Sequence, residues 1–256
     1  AEDGIRDRSP SRGLGDVYKR QTLDAKIIGK ANNLSVIGRA GVGIDNIDIS
    51  AATRKGVVVM NTPDANTISA AEHTMALILS LSRNVSNGHQ SLINGNWDRH
   101  KFIGSELRYK KLGIIGLGKI GREVMQRALC FNMKVLGFDP FIKEDMLRSD
   151  DIKLCGIEEL IKESDFITVH IPLTNDTKNL FDYNMLSRMK KEARIINVAR
   201  GGIINESDLA EILKEGKIAG AALDVFEQEP LSKSSPLLKA PNLILTPHLG
   251  LSLIHI

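Results

Sequence analysis

The stretch that decides the fold runs from Lys111 to Pro140. It reads Lys111-Leu-Gly-Ile-Ile-Gly116-Leu-Gly118-Lys-Ile-Gly121, continues as a helical run to Asn132, and ends Lys134-Val-Leu-Gly-Phe-Asp139-Pro140. An apolar strand, a glycine-rich turn, a helix, a second strand and an acid at its end follow one another. Gly116, Gly118 and Gly121 match the dinucleotide-binding fingerprint, and Asp139 stands about where a ribose-binding acid stands. Gly116 permits the turn off the strand, Gly118 lets a pyrophosphate approach the backbone, and Gly121 lets the new helix pack close to the sheet. The helix N-terminus offers N–H groups and a positive dipole end to that pyrophosphate. Asp139 can accept from both ribose hydroxyls and would repel a 2′-phosphate, which favours NAD over NADP.

Working outward, the βα rhythm continues on the C-terminal side. Strands are expected over Phe166–His170, Arg194–Val198, Ala219–Val225 and Leu243–Thr246. Helices are expected over Asn184–Lys191 and Ser207–Glu215, the latter with Leu209, Ile212 and Leu213 inward. These strands are largely apolar rather than alternating, as strands covered on both faces are. His170, Arg200, Asp224 and His248 each lie at or just past the carboxyl end of a strand, the edge where an open parallel sheet binds ligands.

On the N-terminal side, Thr67–Asn84 reads as a long helix. Its inward face is Ile68, Ala71, Met75, Leu79 and Ser82, widened by Ile78 and Leu81. Gly95–Arg99 is a polar connection. The lone tryptophan, Trp97, reads as its packing anchor, with an oligomer contact as the alternative. His73 reads as a surface or half-buried residue, and His89 and His100 fall in polar connections. Before that helix, Thr22–Asn33 reads as a helix, Leu34–Ile37 as a strand, Arg39–Asn46 as a glycine-rich loop, Ile49–Lys55 as a helical turn and Val57–Asn61 as a strand. Together they suggest a small parallel α/β unit. Ala1 to about Gln21 has neither helix nor strand period and is expected to be disordered. It resembles translated adapter DNA, as does Ser252–Ile256, and both are set aside as non-native.

Composition excludes several classes. With 256 residues, 42% hydrophobic and 25% charged, the chain is an ordinary globular one with length enough for a sizeable core. A net charge of +3 gives no argument for nucleic acid or a membrane surface. No apolar run reaches membrane-span length and no signal-peptide pattern opens the chain. Cys130 and Cys155 show no metal-ligand spacing, so no metal is expected. They sit in or beside apolar segments, read as buried thiols, and suit a reducing, cytoplasmic setting.

Arg200, Glu229 and His248 look like a catalytic set. An arginine can grip a carboxylate through two parallel hydrogen bonds. A histidine backed by a carboxylate can be held as imidazolium and give up a proton. Spacing alone leaves the bland readings open, since arginines after strands are often in surface ion pairs and an acid before proline is often only a loop residue.

The chain resembles the D-2-hydroxyacid dehydrogenase family. The matching stretches are Gly38-Arg-Ala-Gly-Val-Gly-Ile-Asp-Asn46, Ala51-Ala-Thr-Arg-Lys-Gly56, Met60-Asn-Thr-Pro63, Ser69-Ala-Ala-Glu72, the fingerprint, Asn197-Val-Ala-Arg-Gly-Gly202, Ala221-Ala-Leu-Asp-Val-Phe226 and Pro247-His-Leu-Gly250. The resemblance implies a Rossmann-type doubly wound parallel sheet over residues 63–250, with residues 22–62 a remnant of a truncated, flavodoxin-like substrate domain and 251–256 a non-native tail. It implies NAD as cofactor, with contacts from Val42, Gly116, Gly118, Lys119, Ile120, Gly121, Asp139, Val198, Ala199, Arg200, Asp224, His248 and Gly250, and with His170 lining the pocket. It implies Arg200, Glu229 and His248 as the catalytic arginine, glutamate and histidine. The substrate's carboxylate and carbonyl oxygen would meet Arg200 and the backbone of Val42 and Gly43. The implied reaction is hydride transfer between the nicotinamide and C2 of a D-2-hydroxy or 2-oxo acid. Within the family the Ala51 and Met60 runs favour the branch that oxidises 3-phosphoglycerate for serine synthesis. A reductase of hydroxypyruvate, glyoxylate or another 2-oxo acid is the alternative, and an NADH-sensing corepressor-like binding protein the remote one. A homodimer or higher oligomer is implied, formed through the cofactor domain.

Overall fold

The computed structural model describes residues 22–39, 43–44, 46–62, 66–142 and 152–251. The expectations for Ala1–Gln21 and Ser252–Ile256 therefore lie outside the described residues, as does Val42. The chain divides into two compact units between Asn66 and Thr67.

The first unit is small. Helix α1 (Ala25–Lys30) starts on Asp24, whose carboxylate accepts from the Ile27 amide at 2.8 Å, and α2 (Ile49–Arg54) starts likewise on Asp48. Strands β1 (Val36–Arg39) and β2 (Val58–Asn61) pair in parallel, Val36 opposite Val58. β1 begins two residues later than its local pattern suggests, because the pairing partner sets the register. Ile28, Ile37, Ile47, Ala51, Ala52 and Val57 form the core. Lys55 closes the C-terminal end of α1: its ammonium donates to the carbonyls of Ile28, Gly29 and Ala31 at 2.6, 3.0 and 2.8 Å. A cation there meets the negative end of the helix and the carbonyls that the helix leaves open.

The second unit opens with α3 (Thr67–Ser82) and α4 (Val85–Ile93). Six more elements build its first half: β3 (Lys111–Ile115), α5 (Lys119–Cys130), β4 (Lys134–Phe138), β5 (Ile152–Leu154), α6 (Ile157–Glu163) and β6 (Phe166–Val169). The rest is α7 (Tyr183–Ser187), β7 (Arg194–Asn197), α8 (Glu206–Lys214), β8 (Gly220–Leu223) and β9 (Leu243–Leu245). The strands form one parallel seven-stranded sheet in the order β5-β4-β3-β6-β7-β8-β9. Chain order reverses between β3 and β6, which lie side by side with Leu112 opposite Phe166. That reversal opens a crevice beyond the strands' carboxyl ends. β6 and β8 are buried at every position, as strands covered on both faces are. One apolar cluster joins α3 and α5 to one face of the sheet, through Ile78, Leu81, Ile114, Val124 and Ala222. A second joins α6, α7 and α8 to the other face, through Leu160, Leu186, Leu209 and Ile212. This is the doubly wound Rossmann architecture expected.

Several local expectations are corrected. The long helix stops at Ser82, and a separate helix, α4, carries His89. Ile68, expected inward, is exposed, while Ala70, Thr74 and Leu77 are buried instead: the inward face is rotated toward α5 and the sheet. Trp97 is 81% exposed and so is not a packing anchor among the described residues. Cys130 ends α5 on its outer side and is exposed, and Cys155 is half-buried, so neither is a core thiol. β5 and α6 arise where no element was expected.

Candidate active site

The glycine-rich turn is built by contacts that a side chain would destroy. Gly116 has φ +92°, and a Cβ there would lie 2.5 Å from the His170 carbonyl oxygen. A Cβ on Gly121 would lie 2.0 Å from the Gly116 oxygen, so the start of α5 rests directly on the turn. At Gly118 a Cβ would meet nothing within 4 Å. Gly118 is also the residue on which α5 starts, with no side chain to bond the first-turn amides. Helices α7 and α8, by contrast, are closed by Asp182 and Asn205. Lys119, Ile120 and Gly121 thus open a helix of twelve residues whose N-cap residue is a glycine, an arrangement suited to an anion.

Asp139 follows β4 at the same edge. Its carboxylate accepts from the Leu117 amide at 2.9 Å through one oxygen and from the Phe141 amide at 2.9 Å through the other. Arg122 Nε bonds the Leu117 carbonyl at 2.9 Å. The acid is fixed against the glycine turn while each oxygen retains a lone pair for a hydroxyl. The open cradle, the helix start on glycine and the fixed acid together fit a dinucleotide.

Beyond β6, His170 Nε2 lies 3.0 Å from Thr168 Oγ1, and burial pushes its pKa down to about 3. It is therefore neutral at physiological pH. Beyond β7, the buried Asn197 brackets the next turn: its oxygen accepts from Ala199 N at 3.0 Å and its Nδ2 donates to the Arg200 carbonyl at 2.8 Å. This side chain fixes Val198, Ala199 and Arg200, a role the sequence reading missed. An asparagine at a strand end is the available signal, since its short amide readily bonds nearby backbone. Arg200 is half-buried, and its Nη1 donates to the Ala199 carbonyl at 2.6 Å.

Beyond β9 stands His248, at φ +57°. A non-glycine residue in this left-handed region costs energy and is held there by its surroundings. Its Nδ1 lies 2.8 Å from Glu229 Oε2, and the other Glu229 oxygen accepts from the Phe226 amide at 3.1 Å. Both side chains are about a quarter exposed, at 27% and 24%. An ionised carboxylate only accepts, so Nδ1 carries the hydrogen and Nε2 is the nitrogen left to exchange a proton. Glu206, on the first turn of α8, accepts from the Glu227 amide at 2.6 Å. Burial, and after it the nearby Glu227 and Glu229, push its carboxyl above the usual range.

Asp224, beyond β8, is wholly buried. One of its oxygens accepts from Thr246 Oγ1 at 2.6 Å and from Leu249 N at 2.7 Å, and the other from Gly250 N at 2.8 Å. Its burial alone would raise the pKa, but bonds from His73, Thr246, Gly250 and Leu249 outweigh that and lower it. Gly250 packs against Val198, where a Cβ would come within 2.8 Å of a Val198 methyl. The structure thus places Gly116, Gly118, Lys119, Ile120, Gly121, Asp139, Val198, Ala199, Arg200, Asp224, Glu229, His248 and Gly250 along one sheet edge. It brings His248 and Glu229 into direct contact. Gly43 belongs to the first unit. Among the described residues, no group of three or more His, Cys, Asp or Glu could hold a metal ion, and no helix is long and apolar enough to cross a membrane.

Comparison with known proteins agrees with the fold. Residues 75–250 match the model of the D-isomer specific 2-hydroxyacid dehydrogenase NAD binding domain. The chain is 52% identical to D-3-phosphoglycerate dehydrogenase of Methanocaldococcus jannaschii over 227 residues, covering 88% of this chain and 43% of that protein. It is 49% identical to the Bacillus subtilis protein of the same name over 250 residues, 98% of this chain and 46% of that one. The chain thus spans less than half the length of these relatives. Among solved structures, D-lactate dehydrogenase from Aquifex aeolicus, complexed with NAD and lactic acid, superposes with a TM-score of 0.81 at 31% identity. The match covers 90% of this chain and 73% of that one. NAD-dependent formate dehydrogenase from Staphylococcus aureus, in complex with NAD, gives 0.81 at 36% identity over 90% and 69%. The chain belongs to the D-isomer specific 2-hydroxyacid dehydrogenase family, and its residues 75–250 are that family's NAD binding domain.

Proposed function

We propose that this protein is a cytoplasmic NAD-dependent oxidoreductase acting at C2 of a D-2-hydroxy or 2-oxo acid, with 3-phosphoglycerate and 3-phosphohydroxypyruvate as its physiological pair. The observation that carries the reading is the His248–Glu229 contact of 2.8 Å on the same sheet edge as the open Gly118 cradle. Bound NAD supplies or accepts the hydride. The protein's own residues do the rest. Lys119, Ile120 and Gly121 present amides to the pyrophosphate, and Asp139 accepts from the ribose. Val198, Ala199 and Gly250 line the nicotinamide side, where Asp224 acts chiefly by holding the loop that bears His248. Arg200 grips the substrate's carboxylate and polarises its carbonyl, stabilising charge as it develops. In reduction, His248 gives the Nε2 proton to the carbonyl oxygen while Glu229 holds the imidazolium. In oxidation, neutral His248 takes the hydroxyl proton. The phosphorylated substrate is inferred from the names of the relatives at about half identity, and residues 22–62 are assigned to the substrate domain.

The test follows NADH oxidation by the full-length protein with 3-phosphohydroxypyruvate, hydroxypyruvate, glyoxylate and pyruvate. The expected result is a kcat/KM at least about 100-fold higher for the phosphorylated acid, the scale of discrimination when a site built for a polar group is left unpaired. Preference for an unphosphorylated acid would move the protein to the reductase branch. Tight NADH binding without oxidation of any acid would favour a non-enzymatic NADH sensor.

The same reading includes a homodimer. Helix α4 buries no residue, and Val85, Leu92 and Ile93 are exposed on it, followed by Trp97 and by Ile103 at 82% exposure. So much apolar surface in one stretch marks an interaction site, and a second copy of the chain is its occupant. Sedimentation should give twice the chain mass at micromolar protein, and Ile93→Asp with Trp97→Asp should shift it to the single-chain mass. An unsubstituted protein that sediments as a monomer overturns the proposal.

A further inference from the structure

Ser69 and His73 lie one turn apart on helix α3. Neither belongs to the set that meets cofactor or substrate. Both reach the loop that carries His248. Ser69 Oγ donates to the Gly250 carbonyl at 3.1 Å. His73 Nε2 lies 3.2 Å from Thr246 Oγ1 and 3.2 Å from Asp224 Oδ1, with the His73 side chain 17% exposed and Asp224 not at all. We propose that His73 is a positioning residue for His248, acting through Asp224.

The hydrogen positions follow from the partners. Asp224 is held by four groups of the chain, and an ionised carboxylate can only accept. Thr246 Oγ1 stands 2.6 Å from Asp224 Oδ1, so its hydroxyl hydrogen points to the carboxylate and its lone pairs face His73. Both groups around His73 Nε2 are therefore acceptors, and Nε2 must carry a hydrogen, shared between them. The chain of bonds then runs from His73 Nε2–H to Asp224 and on to the Leu249 and Gly250 amides at 2.7 and 2.8 Å, with Thr246 closing the loop on the other side. Residues 246, 249 and 250 bracket His248, whose own φ of +57° must be imposed by its neighbours. Removing the His73 donor leaves a fully buried carboxylate with one partner fewer, and the group most able to respond is the loop.

This proposal rests on the assignment of His248 as the proton-exchanging residue, so the test has an arm that does not depend on turnover. Nitrogen-15 spectra of the full-length protein should show a hydrogen on His73 Nε2, and a ring whose hydrogen is on Nδ1 alone overturns the proposal. In His73→Phe, which fills the space without the donor, the Leu249 and Gly250 amides should exchange with solvent roughly ten-fold faster, as expected of locally loosened structure. kcat should fall roughly ten-fold with the KM for NADH unchanged. His73→Gln, whose amide nitrogen reaches about as far as Nε2, should restore most of both. Unchanged exchange in His73→Phe, or equal losses in the Phe and Gln variants, overturns it. If the unsubstituted protein turns over no acid, the catalytic reading of His248 fails and the spectra and exchange rates still decide the role of His73.

Discussion

His248→Ala lowers turnover by at least about 100-fold, the usual contribution of a positioned acid–base group, while NADH affinity stays within about two-fold. The separation of the two effects comes from the architecture. The proposed cradle for the cofactor's pyrophosphate is the turn between β3 and α5, fixed by glycine contacts and by Asp139. His248 follows β9, at the far edge of the sheet order from β5, and its bonded partner is Glu229 rather than any part of that turn. Removing the imidazole deletes the proposed proton donor without disturbing the glycine turn. Stopped-flow turnover and fluorescence titration of NADH on one preparation check both halves. Glu229→Gln is the companion: an amide oxygen still accepts from Nδ1–H, but the negative charge beside the ring is gone, so its turnover falls between the parent and His248→Ala. Near-normal turnover in His248→Ala would overturn the assignment.

The two halves of the site differed in how legible they were. The cofactor half is a local problem. Gly116, Gly118, Gly121 and Asp139 fall within one βαβ unit at a recognisable spacing; at Gly121 the steric demand that selects glycine is met by the Gly116 oxygen at 2.0 Å, while at Gly116 it is met by the His170 carbonyl beyond β6. The proton-transfer half is not local. His248 and Glu229 belong to different loops, and without the family resemblance each reads only as a polar residue after a strand or before a proline. The partnership of His73 with Asp224 spans most of the second unit, and nothing in the local pattern of α3 announces it. Where the local pattern misled, a distant partner or an ambiguous composition was the cause. Val36 pairs with Val58, and that pairing moved β1 by two residues. α4 escaped notice because Ser86, Asn87, Gly88, His89 and Gln90 are polar or poor helix formers. Trp97 and Cys130 show that residue type does not decide burial, since each sits where the chain leaves an outer face uncovered.

Gly201→Ala should inactivate the protein, and the companion Gly118→Ala should separate binding from stability. A Cβ on Gly201 would lie 1.9 Å from the Phe226 carbonyl oxygen, 2.0 Å from its carbon and 2.5 Å from the Glu227 nitrogen. All three are backbone atoms, so no rotamer change can relieve the clash, and either the turn after Arg200 or the segment after β8 must move. Both carry groups of the proposed site. The turn presents Arg200, held by Asn197 through the Arg200 carbonyl. The segment leads to Glu229, held by the Phe226 amide and bonded to His248. Overpacking of this kind costs about 1–3 kcal/mol, and at roughly 2–4 °C per kcal/mol for a unit of this size it lowers Tm by several degrees. Turnover falls further than stability, by about 100-fold or more, because misplacement of a reacting group by about 1 Å has that effect. Gly118 is the opposite case. Its φ of −68° is open to any residue, and its Cβ would meet no protein atom within 4 Å. Gly118→Ala should leave Tm within about 1 °C while weakening NADH binding by roughly ten-fold or more, because the methyl group enters space the pyrophosphate needs. Calorimetry and NADH titration on the two variants distinguish a contact the protein makes with itself from one it reserves for its cofactor. A Gly118→Ala protein that binds NADH normally would show that the cofactor does not lie on this turn.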